Sequence, residues 1–282
     1  MPIALATAAA LPGLHPDDRL LLDALRRRDV DAEPAIWEDS LYAWERADRV
    51  VIRSAWDYSW RREAFLAWAD RVGERLRNTP TVVRWNTHKR YLLDLAGAGV
   101  SVVPTVVLAA GSTVRLDAVL DEHGWDDAVV KAAVGQSGRY ARRITRGDTA
   151  GQDHAGRVLA REDLLVQPFL PGIYTTGELS VVFVGDQCSH AVRKRAAPGD
   201  FRVHDDYGGS VTREEPDQAV LALAEAALRA AGEPLLYGRV DVVHGLDGTP
   251  MVMELELVEP ELFFSHAPEA AELLADALVA GE

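Results

Sequence analysis

Apolar positions in the first hundred residues come in two patterns, short continuous runs and stretches of helical period. Pro2 to Thr7 has the continuous character of a short buried strand; Asp17 and Asp18 then stand where a helix N-terminus favours acids, ahead of the amphipathic run Arg19 to Arg28. Ala35 to Trp37 and Arg49 to Arg53 predict further strands. Arg61 to Arg77 predicts a helix with Phe65, Trp68, Ala69, Val72 and Leu76 on one face. Strands alternating with helices imply a parallel sheet with helices packed on it. Thr81 to Trp85 reads as one more strand, and Asn86-Thr87 as the cap of a helix that carries Lys89, runs to Ala96 and stops at Gly97 and Gly99.

From Val102 the pattern changes to short strands with glycine-containing turns and fewer helices. Val129 to Ala133 predicts a strand bearing Lys131, Gly135-Gln136-Ser137-Gly138 a loop of small residues, and Tyr140 to Thr145 the returning strand. Leu164 to Phe169 is a strand ended by Pro171-Gly172, and Glu178 to Val184 is expected to pair with Cys188 to Lys194 across Gly185-Asp186. Helices at Gln218 to Ala230 and Glu269 to Val279 are expected to cover the last lobe. The class is therefore α/β (α+β): an N-terminal parallel α/β domain over 1–86, then antiparallel α+β lobes at 87–165 and 166–282.

The strongest chemical signal lies near the C-terminus. Leu235 to Val243 and Met251 to Val258 flank a loop centred on Asp247-Gly248, a hairpin signature. Pairing symmetric about that turn sets Asp241 opposite Glu254 and Arg239 opposite Glu256, all on one face, while Val240, Val242, Met253 and Leu255 point into a core. Two carboxylates across a ladder, with a third two residues away, repel unless a cation sits among them. A hard divalent ion on Asp241, Glu254 and Glu256 would do this, Mg²⁺ first. The competing account has Arg239 neutralise the acids in a salt-bridge network.

Phosphate groups need further cradling, yet there is no G-x-x-x-x-G-K-[ST] loop and no G-x-G-x-x-G after the first strand. Lys131 and the loop after it remain, since small residues let backbone amides approach phosphate oxygens. In parallel sheets ligands gather at the carboxyl ends of strands, which points to Arg53-Ser54-Ala55-Trp56-Asp57-Tyr58.

Composition narrows the classes. A chain of 282 residues is long enough for two or three lobes. Acids outnumber bases 44 to 30, and a formal charge of −14 argues against a nucleic-acid partner. The single cysteine, Cys188, allows neither an intrachain disulfide nor a thiolate cluster, so a reducing cytoplasm is expected. No basic residue precedes the apolar Pro2 to Leu14, so no secretory leader is expected, and no run approaches the roughly 18–20 apolar residues of a membrane span. Of the 30 basic residues only Lys89, Lys131 and Lys194 are lysine; where arginine is otherwise preferred, a lysine marks a need for a compact ammonium.

The order Lys89, Lys131 with its small-residue loop, Val166-Gln167-Pro168-Phe169-Leu170, Glu178, Arg239-Val240-Asp241 and Glu254-Leu255-Glu256 resembles the ATP-grasp superfamily over most of the chain. The resemblance implies ATP held between two antiparallel sheets, with Lys89 and Lys131 on the phosphates. Gly135, Gln136, Ser137 and Gly138 would close over them, Gln167, Pro168, Phe169 and Leu170 would line the adenine, and Glu178 would meet the ribose. It implies Mg²⁺, with Mn²⁺ as the alternative ion, because Glu256 stands where that family commonly has Asn. Lys194, Gly199-Asp200-Phe201-Arg202 and Gly208-Gly209 look like the segment that reaches the transferred phosphate and acyl oxygen in glutathione-synthetase-like members. Arg202 and Arg239 are then the implied catalytic cations, and Arg53, Ser54, Asp57, Tyr58 and Lys194 the implied substrate contacts.

A narrower resemblance rests on the Arg53 to Tyr58 string and on Met253-Glu254-Leu255-Glu256-Leu257-Val258-Glu259-Pro260. It is to the O-ureido-serine cyclo-ligases of D-cycloserine biosynthesis and their relatives. That implies phosphorylation of a small amino-acid-like carboxylate, then attack by a nitrogen of the same molecule. An intermolecular ligase of the D-alanine–D-alanine type, a small-molecule kinase and a nucleotide-binding module without turnover stay open as alternatives.

Overall fold

The computed structural model describes every residue except Ser137, 204–206 and Glu282. The first apolar run is strand β1 (Ile3–Thr7), buried along its length because helices cover both faces. Ile3 and Leu5 pack toward helix α1 (Pro16–Arg27), Ala4 and Ala6 toward α2 (Arg62–Val72). The parallel sheet runs β2 (Ala32–Ile36), β1, β3 (Arg49–Ile52), β4 (Leu76–Arg77).

Local expectations fail here at element ends. Helix α2 stops at Val72, where Gly73 takes φ 62°, and Leu76 belongs to β4. Residues Thr81 to Trp85 are not a strand but part of helix α3 (Pro80–Asn86): Pro80 is at its start and the Thr79 hydroxyl accepts from Val82 N at 3.3 Å. A cap plus an N-terminal proline outweighs the β-branched Thr81, Val82 and Val83. Lys89 sits in the turn before α4 (Tyr91–Gly97) rather than on a helix, with its backbone N–H bonded to Ala133 O at 2.8 Å.

The second sheet is antiparallel, in the order β5 (Val106–Leu108), β8 (Leu164–Pro168), β6 (Asp127–Ala132), β7 (Arg142–Thr145). Helices α5 (Leu116–His123) and α6 (Thr149–Leu159) cover one face, although the sequence pattern shows few helices there. Two glycines and a polar surface hide α6, whose start is fixed by Asp148 accepting from Gly151 N at 2.8 Å. The expected division between 165 and 166 falls inside β8, whose partners β5 and β6 both lie upstream.

The third sheet, also antiparallel, runs β11 (Ser210–Arg213), β10 (Gln187–Arg195), β9 (Glu178–Val184), β12 (Tyr237–His244), β13 (Pro250–Glu256). One face is mostly apolar: Leu179, Val181, Val240, Val242 and Leu255 pack with α4 and with α7 (Gln218–Arg229), and Arg193, opposite Leu179, is paired with Glu214. Part of the other face, Val182, Val192 and Tyr237, is apolar too. Helix α8 (Pro268–Ala280) joins that side and lies along α1, so Leu274 and Leu278 pack with Leu21 and Leu25 rather than serving only the last lobe. The rest of this face is charged. No described helix is long and apolar enough to cross a membrane.

Candidate active site

Alternation along β6 divides its side chains: Ala128 and Val130 enter the core under α5 and α6, while Val129 and Lys131 face the opposite way. They face the charged part of the third sheet across a cleft with about 950 Å³ of empty space, open solvent at its mouth included. Lys89, Lys131, Gly135, Gln136, Gly138, Gln167, Pro168, Phe169, Leu170, Glu178, Arg202, Asp241, Glu254 and Glu256 all line it. Ser137 lies outside the described residues.

The hairpin register is the symmetric one at its functional end: Asp241 pairs with Glu254 and Arg239 with Glu256. Toward the turn it slips by one residue, and Val242 pairs with Val252. Met253 is left unpaired by this bulge and turns to the cleft instead of the expected core, placing Sδ 3.8 Å from Lys131 Nζ.

The carboxylates are held by different cations. Arg239 donates to both oxygens of Asp241, at 3.0 and 2.9 Å, and to Glu256 at 2.5 Å. Lys194 bridges Asp241 at 3.2 Å and Glu178 at 2.6 Å, and Ser180 Oγ donates to Asp241 at 2.5 Å. Lys89 pairs with Glu254 and donates to Gly135 O at 2.6 Å. Burial pushes the Asp241 carboxyl up, but Arg239 and Lys194 more than reverse this and hold it well below the usual range. Burial likewise raises Glu254, and Lys89 and Lys131 turn the balance downward. Glu256 is pushed up to about 7 by burial, because Glu254 and Asp241 repel its charge against the pull of Arg239. Among the described residues no three carboxylate, histidine or cysteine side chains converge as a ready metal cage. The donor set is nonetheless one of hard oxygens on adjacent strands, as Mg²⁺ requires.

Lys131 is the contrasting cation. Burial lowers its pKa, partly restored by Glu254, and Met253 Sδ is the hydrogen-bond partner of its ammonium. A desolvated ammonium with no carboxylate against it among the described residues, facing a cleft, is ready for an anion. The loop beside it uses glycine where the backbone demands it: Gly138 has φ 64°. Arg139 anchors this loop by two bonds of 2.6 Å to Glu162 and stacks on Trp60 at 4.2 Å. The sequence offered no signal for it beyond one arginine among many. On the far wall Phe169 lies under the Arg143 guanidinium at 3.8 Å and edge-on to Phe201, and Gln167 donates to Thr105 Oγ1 at 2.9 Å. Arg202 lies beside Gly138 with its guanidinium on Asp200 at 2.6 Å and over Tyr207.

Other expected site residues stand elsewhere. Arg239 and Lys194 are buried beneath the carboxylates and are not among the residues that line the cleft; their hydrogen bonds go to its acids. Arg53 is fully buried, bonded to Asp18 Oδ1 at 3.0 Å and to Pro260 O, and stacked on Tyr237. Ser54 donates to Asp18 at 2.6 Å. Asp57 accepts from Trp37 Nε1 at 2.8 Å and pairs with Arg61, while Tyr58 is buried against Phe65. None of Arg53, Ser54, Asp57 and Tyr58 lines the cleft, because the polar string after β3 is turned inward to lock the parallel sheet to residues 259–260.

Comparison with known proteins gives this arrangement its relatives. The model of the D-cycloserine synthetase DcsG N-terminal domain matches residues 3–78, the segment that forms the parallel sheet. The cycloserine biosynthesis protein DcsG of Streptomyces lavendulae is 37% identical over 291 residues, covering 98% of this chain and 97% of that protein. The crystal structure of D-cycloserine synthetase DcsG superposes with a TM-score of 0.90 at 35% identity, over 100% of this chain and 99% of that one. The ATP-grasp ligase PsnB, solved with a minimal precursor, Mg and ADP, shares the fold with a TM-score of 0.66 at 19% identity, over 99% and 97% of the two chains. The chain belongs to the DcsG family of ATP-grasp ligases.

Proposed function

We propose that this protein uses ATP to phosphorylate the carboxylate of a small amino-acid-like substrate and then joins that carbon to a nitrogen of the same molecule, as in the conversion of O-ureido-D-serine to D-cycloserine. The observation that carries the reading is the cleft itself, where among the described residues no carboxylate stands against Lys131 and Lys89 stands on Glu254. The likeness to a cycloserine biosynthesis protein supports the cyclisation.

In this reading the adenine lies along Gln167 to Leu170, the ribose near Glu178, and the phosphates over Lys89, Lys131 and the 135–138 loop. Mg²⁺, or Mn²⁺, held by Glu254, Glu256 and Asp241 would neutralise phosphate charge. The chain's own residues do the positioning. Arg239 and Lys194 keep Asp241 ionised and aimed, and Lys89 can exchange Glu254 for a phosphate oxygen. Arg202, on the loop above, offsets charge on the group in transfer. The substrate carboxylate takes the γ-phosphoryl group with release of ADP, and nitrogen attack on the acyl phosphate expels inorganic phosphate; with O-ureido-D-serine, hydrolysis then removes the carbamoyl group from that nitrogen as CO₂ and ammonia, which leaves the ring. The protein would work in the cytoplasm, as its single cysteine allows.

The test is ATP-dependent release of ADP and phosphate across a panel of amino acids that includes O-ureido-D-serine, with mass spectrometry of products. A cyclised product with stoichiometric phosphate supports the reading. A dipeptide-type amide would mean an intermolecular nucleophile, and a stable phosphorylated product a kinase.

A further inference from the structure

Glu259, just beyond β13, is 8% exposed, and the Tyr58 hydroxyl close to its carboxylate favours the ionised form. Among the described residues no Lys, Arg or His nitrogen reaches ion-pair distance of it. Lys89 pulls on it electrostatically, but the Lys89 ammonium is placed on Glu254 and Gly135 O. One hydroxyl leaves most of the carboxylate's acceptor capacity unused. A buried carboxylate without a cation is costly, and the fold does not need one here. The 259–260 turn is already fixed through its main chain, by Trp56 Nε1 donating to Glu259 O at 3.0 Å and by Arg53 donating to Pro260 O.

The place is informative as well. Glu259 is three residues past Glu256 and is felt electrostatically by both Glu256 and Lys89, so it borders the carboxylate cluster from the side of the parallel sheet. Tyr58 and Trp56, which hold it, come from the loop at the carboxyl end of β3, where such sheets receive ligands. We propose that the Glu259 carboxylate binds the ammonium group of the amino-acid substrate. An α-amino acid carries ammonium and carboxylate on one carbon, so seating the first at Glu259 keeps the second beside the Lys89–Glu254 pair. The string from Arg53 to Tyr58 then serves the substrate indirectly, as the residues that position Glu259. Burial and repulsion from Glu256 push the Glu259 carboxyl up to about 8, as a missing counter-cation would.

This inference rests on the amino-acid-like substrate proposed above. Wild type and Glu259→Gln, which keeps the size of the side chain and an acceptor for Tyr58, are compared on the amino-acid substrate and on its analogue with hydrogen in place of the ammonium. Wild type should prefer the ammonium-bearing compound by roughly a hundredfold in kcat/KM, and Glu259→Gln should lose at least about tenfold of that preference with KM for ATP unchanged. An unchanged preference overturns the assignment. If the glutamine variant does not fold, Glu259→Asp should keep the preference but raise the substrate KM about fivefold or more, and an unchanged KM overturns it. Calorimetric binding separates the two readings. Amino-acid affinity should fall at least about tenfold in Glu259→Gln even if no product forms, which would sink the reaction alone; equal affinity sinks the role of Glu259 whatever the turnover.

Discussion

Asp241 and Glu254 face each other across the β12–β13 ladder, and each is held by its own cations, Asp241 by Arg239 and Lys194, Glu254 by Lys89. Two like charges are thereby kept ionised side by side. Arg239 and Lys194 lie below the cleft surface and act as fixed supports, whereas Lys89 lines the cleft and can be shared with a phosphate.

The Glu254→Gln substitution should therefore abolish most turnover while leaving the fold intact. The amide still accepts from Lys89 but supplies no charge for a divalent ion, and a loss of about a hundredfold or more in kcat is expected. Phosphate release at saturating ATP and Mg²⁺, with circular dichroism as the control for folding, checks this. Unchanged activity at high Mg²⁺ would remove Glu254 from the site.

Lys131 separates function from stability. Its ammonium is desolvated, so replacement by methionine should leave the melting temperature equal or higher while raising KM for ATP by about tenfold or more. A variant that loses stability with ATP binding unchanged would make Lys131 a packing residue.

Arg53 should show the opposite. Removal of its guanidinium leaves Asp18 buried and unpaired, and Arg53→Ala should cost about 3–5 kcal/mol in urea unfolding. Arg53→Ala combined with Asp18→Asn should recover part of that loss, because the stranded charge is gone. A stable Arg53→Ala protein with a raised substrate KM would instead restore Arg53 as a direct substrate contact.

The pH dependence of stability should carry a mark of His190, which lies on β10 at 2% exposure. Burial, and then the Arg213 charge, lower its pKa from 6.5 to about 4. The folded protein thus keeps the neutral ring. This stability is full above pH 6.5 and is lost as pH falls toward 4, by up to roughly 3 kcal/mol. Urea midpoints at pH 7 and pH 4 measure it, and His190→Gln should lose less between the two than wild type. An equal loss would assign the acid sensitivity to other groups.

Much of the site could be read from the sequence because its logic is local. A hairpin centred on Asp247-Gly248 fixes which residues of β12 and β13 stand opposite, and three lysines among many arginines draw attention to Lys89, Lys131 and Lys194. Period-2 alternation likewise sends Lys131 to one side of β6 and Val130 to the other. What failed depends on local exceptions to the pattern and on contacts between distant segments. The Met253 bulge turns a residue expected in the core toward the cleft. Helix α3 forms from a strand-like string because Thr79 and Pro80 start it. The Arg53 to Tyr58 string has the polar, aromatic look of a ligand loop. It is turned inward because Asp18 and the main chain at 259–260 supply partners from more than thirty residues before it and about two hundred after it. Residue type and spacing determined which charges this protein carries on which strand. Only tertiary packing decided which of them are buried against one another and which face the cleft, because a charge's partner is set by the segments that meet around it.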